Sequence, residues 1–156
     1  SISDSLDMPR TLPDKYESGT MNLPGIIGLH AALSYLEKTG VEAIRRRKLE
    51  LTGYFLEEVK KIPGVRIAGR QGTEGRVAVV SLDLEGRDNA VAAFRLEQEY
   101  GIMTRVGLHC APMAHRTLGT FPQGTVRFAF SASNTEEEID RCIRALRGML
   151  IEKNYI

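Results

Sequence analysis

Thr104-Arg105-Val106-Gly107-Leu108-His109-Cys110-Ala111-Pro112-Met113-Ala114-His115 places a cysteine, two histidines and an arginine close together, just after a strand-like run. Glycine and proline break this segment into a loop, and loops held by a rigid scaffold are where reactive side chains concentrate. Cys110 is a candidate reactive thiol, because neighbouring cations such as Arg105 and a charged His109 favour the thiolate that acts as nucleophile. The competing reading is a free cysteine serving as a small buried hydrophobe. His109, Cys110 and His115 also raise the question of zinc. Their H-C-x4-H spacing matches no common ligand pattern and no further cysteine or histidine pair completes a set of four, so no metal site is expected.

Two other groups can contribute to a site. Arg105 and Arg127 fall on strand-like runs expected to be neighbours, and two converging guanidinium groups suit a carboxylate substrate through bidentate hydrogen bonds. Surface ion pairs are the alternative. Glu17-Ser18-Gly19-Thr20-Met21-Asn22 puts a glycine, hydroxyls and an amide before a helix, where a phosphate can be held, although the same residues serve as ordinary caps. Cys142 lies on the apolar face of the last helix and reads as core.

The elements that must position these residues follow from periodicity and punctuation. Residues 1 to 23, with Pro9, Pro13 and a Glu17–Thr20 turn, predict an opening loop unusually long for a compact domain. Pro24 to Lys38 predicts a helix ended by Gly40. Its apolar residues, among them Ile26, Ile27, Leu29, Leu33 and Leu36, run nearly all the way round, which predicts burial on more than one side. Val41 to Ile62 is a second helix with the stripe Ile44, Leu51, Phe55, Val59 and Ile62. Arg45-Arg46-Arg47-Lys48 lies mostly off that stripe and, balanced by Glu42, Glu50, Glu57 and Glu58, reads as a solvated face.

After the Pro63-Gly64 stop, Val65 to Gly69 and Arg76 to Asp83 read as a hairpin joined by a Gly-rich turn. Asp88 caps a helix stopped by Gly101, and Ile102 to Val106 is a third strand. Residues 107 to 124 read as loop, and Thr125 to Ser131 as a fourth strand carrying Arg127. Asn134 or Thr135 caps a last helix with Glu136, Glu137 and Glu138 in its first turn and Ile139, Cys142, Ile143, Leu146 and Leu150 on one face. The order is ββαββα, an α+β domain preceded by two helices and a loop.

Composition removes several classes of function. A chain of 156 residues with 42% hydrophobic content supports one domain with a real core. Its net charge of +1 creates no global field toward nucleic acid or an anionic membrane. No apolar run approaches the roughly 18 residues of a spanning helix, and the polar start Ser1-Ile2-Ser3-Asp4 lacks the features of a secretory signal. A cytoplasmic protein with reduced thiols at Cys110 and Cys142 is expected.

Four blocks together carry a resemblance. Arg105-Val106-Gly107-Leu108-His109-Cys110, Tyr16-Glu17-Ser18-Gly19-Thr20-Met21-Asn22 followed by Gly25-Ile26-Ile27-Gly28-Leu29, Thr125-Val126-Arg127-Phe128, and Asn134-Thr135-Glu136-Glu137-Glu138-Ile139-Asp140 resemble, in order and spacing, the C-terminal part of cysteine desulfurases and selenocysteine lyases. These belong to the class V aminotransferase family of pyridoxal-phosphate (PLP) enzymes, and the resemblance covers nearly the whole chain. It implies the small C-terminal domain of the PLP-dependent aspartate aminotransferase-like fold, with about four mainly antiparallel strands, helices on one face and two helices in front. By domain, residues 1–23 would be an extended loop against a cofactor domain, 24–62 connecting helices, and 63–156 the small α+β domain.

For the site, the resemblance implies that Cys110 is the catalytic nucleophile, which takes sulfur from cysteine as a persulfide. Arg127 would grip the substrate carboxylate, with Arg105 and His109 lining the same site. Thr20, beside Gly19, would reach the cofactor phosphate of another subunit, so a homodimer is implied, and a sulfur-acceptor protein is a further expected partner. Ala111-Pro112-Met113-Ala114-His115 departs from the best-known desulfurases and resembles a less characterised desulfurase-like branch. A transaminase or lyase acting on another amino acid, or a non-catalytic interaction module keeping the fold, are the alternatives. Lys15, Lys38, Lys48, Lys60, Lys61 and Lys153 all lack the His-Lys context in which the family holds its cofactor. The expectation is therefore a C-terminal fragment that binds no PLP and is inactive alone.

Overall fold

The computed structural model describes residues 7–17 and 19–151, and Ser1 to Asp4, Ser18 and Lys153, named above, lie outside them. The chain divides into two compact units, one ending at Val41 and the other starting at Glu42. The first unit is built around helix α1, Leu23–Thr39, with Pro24 in its first turn. Asn22 caps it, its Oδ1 accepting from the Gly25 N–H at 3.1 Å. Gly40, at φ 84°, closes it with an N–H bond to Leu36 O. The expected burial of α1 on more than one side is not found, since none of its residues is buried. Ile27 and Leu29 are 68% and 60% exposed. Its faces are apolar enough to be covered, but no described residue covers them.

The second unit comprises α2 (Val41–Val59, from its second residue), β1 (Val65–Ala68), β2 (Val79–Leu84), α3 (Asn89–Tyr100), β3 (Arg105–Gly107), α4 (Pro112–Leu118), β4 (Thr125–Ala129) and α5 (Glu136–Ile151). The four strands form one sheet in the order β1-β2-β4-β3, and every neighbouring pair is antiparallel. The expected hairpin is β1-β2. The β-α-β run through α3 is split, because β4 inserts between β2 and β3.

Strand alternation sorts the sheet into two faces. Ile67, Val80, Leu82, Leu84, Val126 and Phe128 join one hydrophobic cluster with Leu51, Phe55, Leu56 and Val59 of α2, Ala92, Ala93 and Leu96 of α3, and Ile139, Ile143, Leu146 and Met149 of α5. Phe55 anchors this layer, its ring 5.1 Å from Phe128 and 5.0 Å from Phe130. Helices α2, α3 and α5 therefore line the inner face, as the amphipathic patterns require.

Local chemistry explains the element ends. The Asp88 carboxylate accepts from Ala90 N at 2.7 Å and Val91 N at 3.3 Å, which starts α3. Thr135, rather than Asn134, caps α5 in a reciprocal box, Glu138 N donating to Thr135 Oγ1 and Thr135 N to Glu138 Oε2. The α2 helix stops three residues earlier than the pattern predicts. Lys61 and Ile62 bond back three residues, to Glu58 and Val59, tightening the chain ahead of Pro63. The largest correction is α4, which occupies the segment read as loop, with Pro112 first and Gly119 at φ 67° just past its end. That pairing is a helix signature, but α4 is short and lacks a side-chain N-cap.

Candidate active site around Cys110

The face of the sheet away from the helices carries the polar residues. In register, Ala68 lies opposite Ser81, Ser81 opposite Arg127, and Arg127 opposite Arg105. Arg105 and Arg127 are thus a direct cross-strand pair of like charges, closer than the neighbouring-strand expectation demanded. Directly opposed residues hold their Cβ atoms about 5 Å apart, and like charges there repel. No acidic side chain among the described residues pairs with either guanidinium. An anion set between them would relieve the repulsion and receive paired N–H donors.

Cys110 stands at the end of β3, in the turn Leu108–Ala111, where Ala111 N donates to Leu108 O at 2.8 Å. Both central residues have positive φ, His109 at 49° and Cys110 at 59°. This backbone region costs a non-glycine residue about 1–2 kcal/mol, and it presents the Cys110 side chain exposed beside the arginine pair's strand. The His109 ring braces the turn, with Nε2 3.1 Å from Arg105 O. Because a carbonyl only accepts, Nε2 carries the proton and Nδ1 of the neutral ring keeps its lone pair. Burial lowers the His109 pKa below 6.5, the bond to Arg105 O opposes that shift, and the fields of Arg127, His115 and Arg105 add to it. His109 is therefore a neutral imidazole near pH 7.

Behind the turn, His115 of α4 is buried, with Nδ1 2.7 Å from Thr120 Oγ1 and its ring 5.9 Å from that of His109. No group of three or more His, Cys, Asp or Glu side chains among the described residues could hold a metal ion. The loop from Leu108 to Gln123 closes on itself at a narrow neck. A Cβ on Gly124 would lie 2.3 Å from the Gly107 carbonyl carbon, so a glycine is required at 124 where the ends meet, while Gly107 is favoured by its positive φ of 104°. The Thr125 hydroxyl beside this neck is buried without a hydrogen-bond partner. Cys142 is elsewhere, against the core and on the wall of a cavity of about 270 Å³ with Met103, Phe128 and Arg141. Burial pushes its thiol up to about 11, which removes it as a nucleophile.

In the first unit, Gly19 and Thr20 line a shallow cavity of about 320 Å³ with Tyr16, Glu17, Met21, Asn22 and Ile26, at the N-terminus of α1. Gly19 has φ 80° there, and Thr20 is exposed.

Residues 5–142 match the family model for aminotransferase class-V. The chain belongs to that family. Among curated proteins, this class-V chain is 40% identical to a probable cysteine desulfurase of Xylella fastidiosa (strain 9a5c), over 87% of the chain and 32% of that protein. It is 39% identical to a probable cysteine desulfurase of Mycolicibacterium paratuberculosis, over 86% of the chain and 19% of that protein. The fold is similar to part of the cysteine desulfurase from Thermococcus onnurineus NA1, with TM-score 0.79 and 30% identity over 88% of this chain and 34% of the other. An alanine–glyoxylate aminotransferase from Nostoc shares the fold at TM-score 0.67 and 21% identity. The chain spans about a third of the length of the first curated relative it matches.

Within this class-V aminotransferase chain, Arg105 and Arg127 face each other on neighbouring strands and His109 ties the turn that carries the exposed Cys110 back to Arg105, while Gly19 and Thr20 belong to the other unit. The sequence reading missed Ser81, which extends the arginine row, and a polar group of Arg66, Asp83 and Asn89 tied to the loop's far end. The first two were legible only as alternating strand residues. Among the described residues no helix is long and apolar enough to cross a membrane.

Proposed function

We propose that this chain is the substrate-gripping and sulfur-accepting part of a PLP-dependent cysteine desulfurase-like enzyme, with L-cysteine or an analogue as substrate. The observation that carries the reading is the unneutralised Arg105–Arg127 pair beside the exposed Cys110 in its strained turn. The family's cofactor is PLP, and the residues present fit part of it. Thr20, exposed in a concave surface at a helix N-terminus, fits the phosphate of such a group. None of the described lysines is placed to hold it, since Lys15, Lys38, Lys60 and Lys61 are exposed and Lys48 lies in α2. We therefore assign the holding lysine to a part of the enzyme this chain does not span, with residues 1–23 against that part, 24–62 connecting and 63–156 forming the small domain. When bound, PLP supplies an electron sink next to the substrate carbon.

The chain's own residues do the rest. Arg127 and Arg105 fix the substrate carboxylate by charge-assisted hydrogen bonds, which orients the thiol of the substrate toward Cys110. The Cys110 thiol gives up its proton, and the adjacent His109, whose Nδ1 keeps its lone pair, is assigned as the acceptor. As Cys110 Sγ bonds to the substrate sulfur, the substrate C–S bond breaks and its electron pair stays on carbon, which takes a proton. Cysteine and the Cys110 thiol thereby become alanine and a Cys110 persulfide, with no external oxidant or reductant. The exposure of Cys110 leaves the outer sulfur open to an acceptor protein, and a homodimer would bring Thr20 of one subunit to the partner's cofactor.

The test is sulfur release from L-cysteine by the full-length enzyme with Cys110→Ala. Loss of release with retained PLP absorbance supports the assignment, and full activity overturns it.

A further inference from the structure

The loop that carries Cys110 leaves the sheet at Gly107 and returns at Gly124, and its far end is tied down by side chains from two other elements, which a third side chain links. Arg66 of β1 donates through Nη1 to Leu118 O at 3.3 Å and through Nη2 to Gly119 O at 3.1 Å, the carbonyls of the last residue of α4 and of its C-cap. The same guanidinium holds Asp83 of β2, its cross-strand partner, with Nη2 and Nε at 2.7 and 3.2 Å from Oδ2. Asp83 Oδ1 in turn accepts from Asn89 Nδ2 at 2.9 Å. Asn89, 2% exposed, also donates to Gly124 O at 3.1 Å and accepts from Leu84 N at 3.0 Å.

One connected network therefore holds both the C-terminal end of α4 and the return of the loop into β4. A cation at a helix C-terminus complements the helix end's partial negative charge, and the planar fork of arginine serves two carbonyls and a carboxylate together. Within the loop the chain supports itself, Thr120 N bonding to His115 O and Gly124 N to Thr120 O. The loop is thus internally bonded, with its base pinched where Gly124 meets the Gly107 backbone, in the manner of a compact Ω-loop. The strained His109-Cys110 turn sits at its near end, and such a conformation persists only where the surroundings over-determine it.

We propose that Arg66, with Asp83 and Asn89, is a positioning residue for Cys110: it seats α4 against the sheet and so fixes where the thiol stands relative to the Arg105–Arg127 pair. The inference deepens the sulfur-acceptor reading of Cys110 and rests on it for its functional meaning. Its physical content is independent of that reading. Arg66 touches no reacting atom in this scheme. It acts through the loop it holds.

The test uses a nitroxide on Cys110 in a Cys142→Ala background, with Arg66→Gln and Arg66→Lys. Lysine retains a cation beside Asp83, and with it the β1–β2 pairing, but cannot fork to the Leu118 and Gly119 carbonyls. In both variants the label should become more mobile and the Thr120 and Gly124 amides should exchange about tenfold faster, equivalent to about 1.4 kcal/mol. Protection of α2 and α5 should be unchanged in Arg66→Lys. Unchanged label mobility overturns the inference, and so does mobility that rises only together with loss of core protection. Neither result depends on sulfur chemistry. Retained sulfur release in Cys110→Ala would remove the proposed function and leave this test standing.

Discussion

Replacing Arg105 by glutamine should make the isolated chain slightly more stable and at the same time less able to bind a carboxylate. Arg105 is exposed, faces Arg127 directly across two strands, and has no acidic partner among the described residues. A like-charge cross-strand pair costs about 0.2–1 kcal/mol relative to a neutral one. At about 0.15 M salt the Debye length is about 8 Å, longer than the roughly 5 Å between directly opposed Cβ atoms, so screening leaves much of that repulsion in place. Glutamine keeps part of the aliphatic stem, which limits the packing loss. The net gain should be about 0.5 kcal/mol, or about 1–4 °C in Tm for a domain of this size.

The assay is urea or thermal unfolding of the wild type and the variant, without ligand and with an amino-acid carboxylate such as cysteine sulfinate. A ligand at ten times its Kd should raise wild-type stability by about 1.4 kcal/mol and leave the variant nearly unmoved. A variant destabilised by more than about 1 kcal/mol would show that Arg105 is a structural ion-pair partner, and equal stabilisation of both proteins by the ligand would show that the pair grips nothing.

Other perturbations test the geometry around this pair. Gly124→Ala places a methyl group 2.3 Å from the Gly107 carbonyl carbon at φ 71°, so it should cost about 2–4 kcal/mol in urea unfolding. A smaller cost would mean that the loop neck is looser than described. The folded pKa of His109 lies below its unfolded value near 6.5, so its contribution to stability is full above that value and is lost as pH falls through the lower, folded pKa. His109→Gln should flatten that acid limb, and NMR titration of the ring in Arg127→Gln should find the pKa moved upward; a downward move would contradict the assigned field. Iodoacetamide at pH 8 should modify exposed Cys110 and spare Cys142, whose thiol sits near 11, as read by peptide mass spectrometry. Preferential modification of Cys142 would reverse that ranking.

Much of this arrangement was legible in the sequence, because its signals are local. Asp88 and Gly101 bracket α3, the β-branched run after Arg76 gives β2, and the stripe through Leu51, Phe55 and Val59 gives the buried face of α2. The arginine row was half legible. Placing Arg105 and Arg127 on neighbouring strands needed only the strand order, but their direct opposition is a matter of register, which long-range pairing sets and no short window shows. Helix α4 was hidden by its length, since about two turns leave too little periodicity to register, even with Pro112 and Gly119 at its ends. The Arg66, Asp83 and Asn89 network joins residues far apart in the chain by side-chain hydrogen bonds to backbone carbonyls, and composition carries no trace of such bonds. The exposed α1 marks the opposite case, a pattern read correctly as apolar whose covering surface is not supplied by the described residues.

The central claim, that Cys110 receives the substrate sulfur, is tested most directly by intact-peptide mass spectrometry of the full-length enzyme after a single turnover with L-cysteine and no acceptor or reductant. One added sulfur atom on the peptide containing Cys110, absent in Arg127→Ala and from the Cys142 peptide, is the expected result. Alanine formed in stoichiometric amount with an unmodified Cys110 would contradict it.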